Sequence, residues 1–421
     1  MTTTFEALGV SDDLVRALAD QGIDAPFAIQ NLTIADALAG RDVCGKAKTG
    51  SGKTLGFGLP LIQQVADIAP AAPKRPLALI LVPTRELAVQ VRTVIAPLAE
   101  VKGLRTLAVY GGAPMDRQIK ALHRGVEIMI ATPGRLIDLG DRGELSVGDV
   151  SVLVLDEADR MADMGFLPQV MWVLRRMEHD HQTLLFSATL DGDIDYLVRH
   201  HMKDPVRHEV ESTTATVEEM SHLFLKVHEM DKVKVAAAIT KGAYRTLVFS
   251  RTKRGADRLV DQLKREGVKA GALHGDLAQS LRQRALKQFG DGDLPVLVAT
   301  DVAARGLHIE GVDVVVHYDP PEDAKAYLHR SGRTARAGAK GVAVSLALWN
   351  QELDMEQLQK RLQLPRHLVE VFSNDPRLRD LAGWRPEERT AVPSAADGHS
   401  TRVAAARRVG GGGGGRVRRR R

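Results

Sequence analysis

Cysteine is almost absent from this chain of 421 residues. Cys44 stands alone, which excludes intrachain disulfides and cysteine-rich zinc sites and makes a reducing cytoplasm the expected compartment. Aromatic side chains reach only 4%, too few for a surface built mainly from stacking platforms. No apolar run approaches the roughly 20 residues that span a bilayer. The opening MTTTFEALGV lacks the basic-then-apolar pattern of a secretory signal. What is present is a hydrophobic share of 44%, ample for packed cores, on a length that predicts two or three domains.

Charge is unevenly placed. From Arg385 onward ten arginines face only Glu387, Glu388 and Asp397, so that segment carries +7 against +5 for the whole chain. The body is therefore close to neutral. The tail AADGHSTRVAAARRVGGGGGGRVRRRR has almost no apolar bulk and a glycine run, so residues 386–421 are expected to be disordered and basic. A flexible polycation attracts phosphate polymers through counterion release.

Strand-like runs alternate with helix-like runs in two blocks. The first holds LALILV (77–82), RTLAVY (105–110), EIMIA (127–131), VSVLVL (150–155) and TLLF (183–186). The second holds RTLVF (245–249), KAGAL (269–273), LPVLVA (294–299), VDVVVHY (312–318) and GVAVSLAL (341–348). Such alternation predicts an α/β fold of parallel sheets wrapped by helices. VESTTATVEEM (210–220) is polar and pattern-free and reads as a linker. AKTGSGKT, PTREL, YGG, ATPGR, DEAD, SAT, SRTK, HGD and ATD each fall at or just beyond a strand's C-terminal end, the edge where open α/β sheets bind ligands.

AKTGSGKT (47–54) removes side chains at Gly50 and Gly52, so backbone N–H groups can close around phosphate oxygens. Lys53 would reach the β and γ phosphates and Thr54 would offer its hydroxyl to magnesium. Ala47, Lys48, Thr49 and Ser51 complete the loop, although Ala47 breaks the strict GxxxxGK[ST] pattern. The apolar run 151–155 then drives into Asp156, Glu157 and Asp159. Clustered acids at a buried strand end are costly when the site is empty. A divalent cation and a triphosphate make them favourable: Asp156 would hold the metal, and Glu157 would orient or deprotonate the attacking water. The cluster reads as an ATP site.

With these residues assembled, residues 5 to about 350 resemble a bacterial-type DEAD-box ATP-dependent RNA helicase. Phe5 and GIDAPFAIQ (22–30) are similar to that family's adenine-recognition segment, with Gln30 reading the base and Phe5 bracing the segment. The family's phosphate loop usually begins with Ala, as here. PTRELA, Gly111-Gly112 and TPGR match its first-domain RNA motifs, which implies RNA contacts from Pro83, Thr84, Arg85, Gly111, Gly112, Thr132, Pro133 and Arg135. SRTK, HGD, Gln279 with Arg282, ATDVAARGL and HRSGRTARAG match the second half, implying RNA contacts from Arg251, Thr252, Arg282 and Thr300. The resemblance further implies that Arg333 and Arg336 act as arginine fingers and that Asp301 lines the cleft. Asp159, Ser187, Thr189 and His329 would couple nucleotide state to closure. The chain departs from the family at His308, Ser331 and Ala335, where Asp, Ile and Gly are usual. His308 puts only the ribose contact in question.

The resemblance implies tandem RecA-like domains: an adenine-recognition segment at 1–32, an ATP-binding domain at 33–209, a linker at 210–221, a C-terminal helicase domain at 222–385 and the tail at 386–421. It implies ATP and Mg2+ as ligands, RNA held by its backbone, a monomeric core, ribonucleoprotein or RNA-decay partners, and ATP hydrolysis coupled to local unwinding of short duplexes. An ATP-gated RNA clamp without productive unwinding and a DNA translocase are the alternatives. Deleting residues 386–421 is expected to weaken RNA affinity and flatten its salt dependence while sparing turnover. An unchanged slope of log affinity against log salt would show that the tail is no binding arm.

Overall fold

The structure, a computed structural model, describes residues 3–47, 50–68, 70–190, 192–210, 220–304, 312–334, 341–364, 367–381 and 383–384. Lys48, Thr49, His308, Ala335, Arg336, most of the 210–221 segment and the basic tail lie outside the described residues.

Seven strands form the first sheet: β1 (Val43–Lys46), β2 (Ala78–Leu81), β3 (Thr106–Val109), β4 (Ile128–Ala131), β5 (Val152–Asp156), β6 (Gln182–Ser187) and β7 (Val206–Glu209). Seven more form the second: β8 (Ser221–Lys226), β9 (Thr246–Phe249), β10 (Ala270–Leu273), β11 (Val296–Ala299), β12 (Val314–His317), β13 (Val342–Ala347) and β14 (Val369–Glu370). The strand orders are β3-β4-β2-β5-β6-β1-β7 and β10-β11-β9-β12-β13-β8-β14, so the second sheet repeats the first with every strand shifted by seven. All pairings are parallel. The expected pair of RecA-like lobes is what the chain forms.

The apolar runs fold this way because successive strand residues face opposite sides, and both sides are covered. On β2, Ala78 and Ile80 enter one core with Ile128, Val154 and Leu184. Leu79 and Leu81 enter the other with Met129, Leu153 and Leu155. The second lobe divides likewise: Val248 and Val316 lie on one face, Leu247, Phe249 and Val315 on the other. Two-sided burial is why these strands read as unbroken hydrophobic runs. The edge strand β7, VRHE, has no fully buried residue.

Residues 1–384 pack as one compact unit. No helix among the described residues is long and apolar enough to cross a membrane. Sheet order divides the first lobe's ligand edge into two halves. β3, β4 and β2 lie on one side, and β5, β6 and β1 on the other.

Candidate nucleotide and nucleic-acid sites

Lys53 opens the helix Lys53–Ala66 directly after the glycine loop. It is buried, and its Nζ donates to the Ala47 carbonyl across the loop at 3.1 Å. Gly50 and Gly52 have φ of +86° and +82°. A Cβ on Gly52 would meet Gln30 Nε2 and Phe27 Cδ2 at 2.5 Å, so space as well as backbone demands glycine there. Gln30 is buried; its Oε1 accepts from the Phe27 N–H at 2.8 Å and its Nε2 donates to the Gly52 carbonyl at 2.8 Å. Each amide atom retains further hydrogen-bonding capacity. Phe5 lies in the core that also takes Ile29 and Ile34, behind this segment. Ser51 and Thr54 are half-buried beside Lys53. The sequence reading passed over Phe27, whose ring is 62% exposed beside the loop. Its signal was an aromatic residue three positions before Gln30.

β6 separates β1 from β5 in the sheet, so the phosphate loop, the acids and the SAT segment converge on one side. Asp159 N–H donates to Ser187 Oγ at 3.2 Å, joining two of the residues expected to couple nucleotide state to closure, and Thr189 lies two residues on, half-buried. Glu157 sits at φ 52°, ψ 48°, a left-handed conformation that costs a non-glycine residue about 1–2 kcal/mol. Backbone hydrogen bonds help to hold it. Its N–H donates to Asp156 Oδ1 at 2.9 Å, and the Arg160 and Met161 N–H groups donate to its carbonyl at 3.0 and 3.1 Å. The Arg160 guanidinium also pairs with its carboxylate, both side chains buried. Burial pushes Asp156 up to about 6; Glu157 adds to that rise, while Lys53 and Arg160 oppose it. Burying these acids carries a desolvation cost that a bound cation would relieve.

On the other half of the edge, a cavity of about 450 Å³ is lined by Pro83, Thr84, Arg85, Gly111, Thr132, Arg135 and, from the second lobe, Arg282. Thr84 caps the helix Arg85–Val101 by accepting from the Leu87 N–H at 3.3 Å. Pro133 follows Thr132 at the start of the helix Pro133–Asp141. Arg135 donates to the Ala113 carbonyl and to Gln118 Oε1, each at 3.2 Å. Its pKa is drawn down by burial and by its neighbours Arg85 and Arg142. The Arg85 guanidinium lies over Gly111 and Gly112, and a Cβ on Gly112, where φ is +81°, would overlap it. Gly112→Ala is therefore expected to cost about 1–3 kcal/mol of stability and to weaken RNA binding by displacing Arg85. Denaturant titration and RNA titration of the variant check the two effects separately.

The equivalent strands of the second lobe carry the second motif set. Thr252 caps the helix Lys253–Arg265, accepting from Gly255 N–H at 3.0 Å, just as Thr84 does after β2. Thr300 follows β11 as Thr132 follows β4, and Arg251 is exposed.

Contacts among the described residues tie the lobes. Arg282 Nη2 meets Glu86 Oε1 at 2.8 Å with both side chains buried, and Gln279 Nε2 donates to the same oxygen at 3.2 Å. Lys325 meets Asp163 at 2.7 Å on a more exposed rim. His329 lies close enough to Asp159 and Arg160 to feel both charges. Burial is the main cause of its lowered pKa, Arg160 adds to the lowering, and Asp159 opposes it. Arg333 is buried just beyond the helix Ala324–Ser331. Asp301, expected at the nucleotide, is gripped by Arg330 through Nε and Nη2, both at 2.6 Å. Reading motifs one by one missed the Glu86–Arg282 pair. Its signal was an acid inside PTREL and a basic residue in the QxxR pair.

Two parallel lobes with one edge divided between a phosphate loop and an arginine-lined cavity define a tandem RecA-like nucleotide machine. The family comparisons agree. A family model described as DEAD/DEAH box helicase matches residues 27–197, and one described as helicase conserved C-terminal domain matches residues 228–338. The chain is 41% identical over 367 residues to the DEAD-box ATP-dependent RNA helicase CshA of Bacillus licheniformis, covering 86% of this chain and 74% of that one. It is 40% identical to the protein of that name from Geobacillus kaustophilus, covering 82% and 73%. Among solved structures, S. cerevisiae Dbp5 bound to RNA and ADP BeF3 aligns with a TM-score of 0.74 at 28% identity, covering 88% of this chain and 96% of that one. The chain belongs to the DEAD-box helicase family.

Proposed function

We propose that this protein is an ATP-dependent RNA helicase, in which RNA-stimulated ATP hydrolysis drives closure of the two lobes and local separation of short RNA duplexes. One observation carries the reading: the buried Asp156–Glu157 pair on Lys53's side of the edge belongs to the same closed unit in which Arg282 crosses to Glu86, beside Arg85. The relatives' names, and neighbours solved with RNA and nucleotide, support it.

In this reading Lys53 binds the β and γ phosphates, and the loop N–H groups close around them. Gln30 reads adenine, with the Phe27 ring exposed beside it. Magnesium, held by Thr54 and Asp156, would neutralise triphosphate charge. Glu157 accepts a proton from, or orients, the attacking water. Arg333 and Arg336 meet the charge that develops on the γ-phosphate, a contribution worth about 10³–10⁵ in rate where such fingers have been dissected. RNA lies along Arg85, Arg135, Arg251 and Thr252, held by its backbone, which positions without reading sequence. Both halves of the site come from one chain, so a monomer is sufficient, and the cytoplasm is the compartment.

The test compares ATP turnover with single-stranded RNA, single-stranded DNA and no polymer, alongside release of a labelled strand from a short RNA duplex. Stimulation of turnover by RNA, with ATP-dependent strand release, is expected. Equal stimulation by DNA, or RNA binding with ATP but no release, would replace the reading with a translocase or a clamp.

A further inference from the structure

Because the two sheets share one strand order, the strand ends and following helices of the nucleotide site have counterparts in the second lobe. Lys53 opens the helix after β1, and Lys232 opens the helix after β8. Leu155 pairs with Leu81 in the first sheet, and His317 pairs with Phe249 in the second. Asp319, two residues past His317, therefore stands level with Glu157. The intervening loop differs: residues 227–231 read VHEMD, with no glycine to make room for phosphate.

The second lobe has turned these positions inward. Lys232 is buried, lies 4.6 Å over the Tyr318 ring and comes within 4.0 Å of the Asp319 carboxylate. Asp319 Oδ2 accepts from Ser250 Oγ at 3.0 Å and from the Arg251 N–H at 2.8 Å. The Asp319 carbonyl accepts from Arg330 Nη1 at 2.7 Å, while Arg330 forks onto Asp301. One residue thus fastens the Ser250–Lys253 turn, which faces RNA, to the helix Ala324–Ser331, which carries His329 and leads to Arg333.

We propose that Asp319 is the positioning residue through which RNA held by the second lobe sets the placement of the nucleotide-facing helix, with Lys232 as its fixed counter-charge. Asp319 touches neither ligand. RNA on Arg251 and Thr252 fixes their turn, the turn fixes the carboxylate through two donors, and the carbonyl of the same residue holds Arg330. The inference rests on reading the chain as an RNA-gated ATPase. It adds where the gating signal crosses the second lobe.

The test is thermodynamic. On the full chain, the affinity of a labelled single-stranded RNA is measured with and without AMP-PNP, and that of AMP-PNP with and without RNA. The ratio is a coupling factor that must be the same in both directions. A merely structural role would lower the folded fraction, which either ligand refills, and so would raise the apparent ratio rather than cut it. Asp319→Asn and Ser250→Ala are each expected to cut the ratio about tenfold, within the usual span of such couplings. If Asp319→Asn does not fold, Ser250→Ala decides alone. Wild-type ratios in the folded variants would overturn the proposal. A wild-type protein showing no mutual tightening would instead overturn the RNA-gated ATPase reading on which it stands.

Discussion

Lys53→Ala is expected to abolish ATP-dependent unwinding and to lower ATP turnover by about 10²–10³ or more, the usual effect of removing one fixed donor from a site where charge develops. The lysine is well placed for such an effect. It is buried at the first position of its helix and already bridges the loop to the Ala47 carbonyl. The ammonium keeps further donors for a phosphate oxygen, and the positive helix terminus adds to it. The same group is the strongest influence opposing the rise of Asp156. Its loss removes both the proposed phosphate donor and the counter-charge of Asp156. Nucleotide-free RNA binding should persist, because Arg85 and Arg135 sit at the ends of strands on the other half of the edge. Steady-state turnover and RNA titration together check this. Undiminished turnover would refute the phosphate-loop assignment.

What could be read in the sequence follows from what chemistry demands of particular residues. β2, β4 and β5 were legible because burial on both faces leaves only aliphatic side chains. β7, β8 and β14 were not: VRHE is half-exposed, SHLFLK opens with two half-buried polar residues, and β14 is two residues long. The glycine loop and the acids ending β5 were legible as candidates because holding phosphate and a metal calls for few residue types. Contacts made by ordinary side chains across long separations were not. Glu86 and Arg282 are 196 positions apart, and neither is unusual in its own segment. The partner of Asp301 was not legible either: Arg330 engages its carboxylate from 29 positions away, a pairing that no motif spacing predicts. Arg160, three residues after Glu157, was legible in principle from helical spacing, yet its pairing matters only once both side chains are known to be buried.

That pairing shapes the outcome expected for Glu157→Gln, in which turnover falls by about 10²–10⁴, the usual range for losing a positioned proton acceptor, while ATP and RNA remain bound. Glutamine keeps the size of the side chain and an oxygen for Arg160 to donate to, and the left-handed backbone costs both residues alike. Its amide cannot take a proton from water. Removing the charge at 157 also withdraws one of the influences that push Asp156 upward. Asp156 then ionises more readily and holds a cation at least as well as before. Binding is preserved and the chemical step is disabled, so the lobes should stay closed on RNA. Arg160 loses its charged partner but remains hydrogen-bonded, with Asp156 and Asp159 nearby, so the fold should survive. The measurement is dissociation of a labelled RNA from the variant with ATP present, beside single-turnover hydrolysis. Retention far longer than in the wild-type protein is expected. Release at the wild-type rate, with hydrolysis abolished, would mean that phosphate cleavage is not the step that opens the lobes.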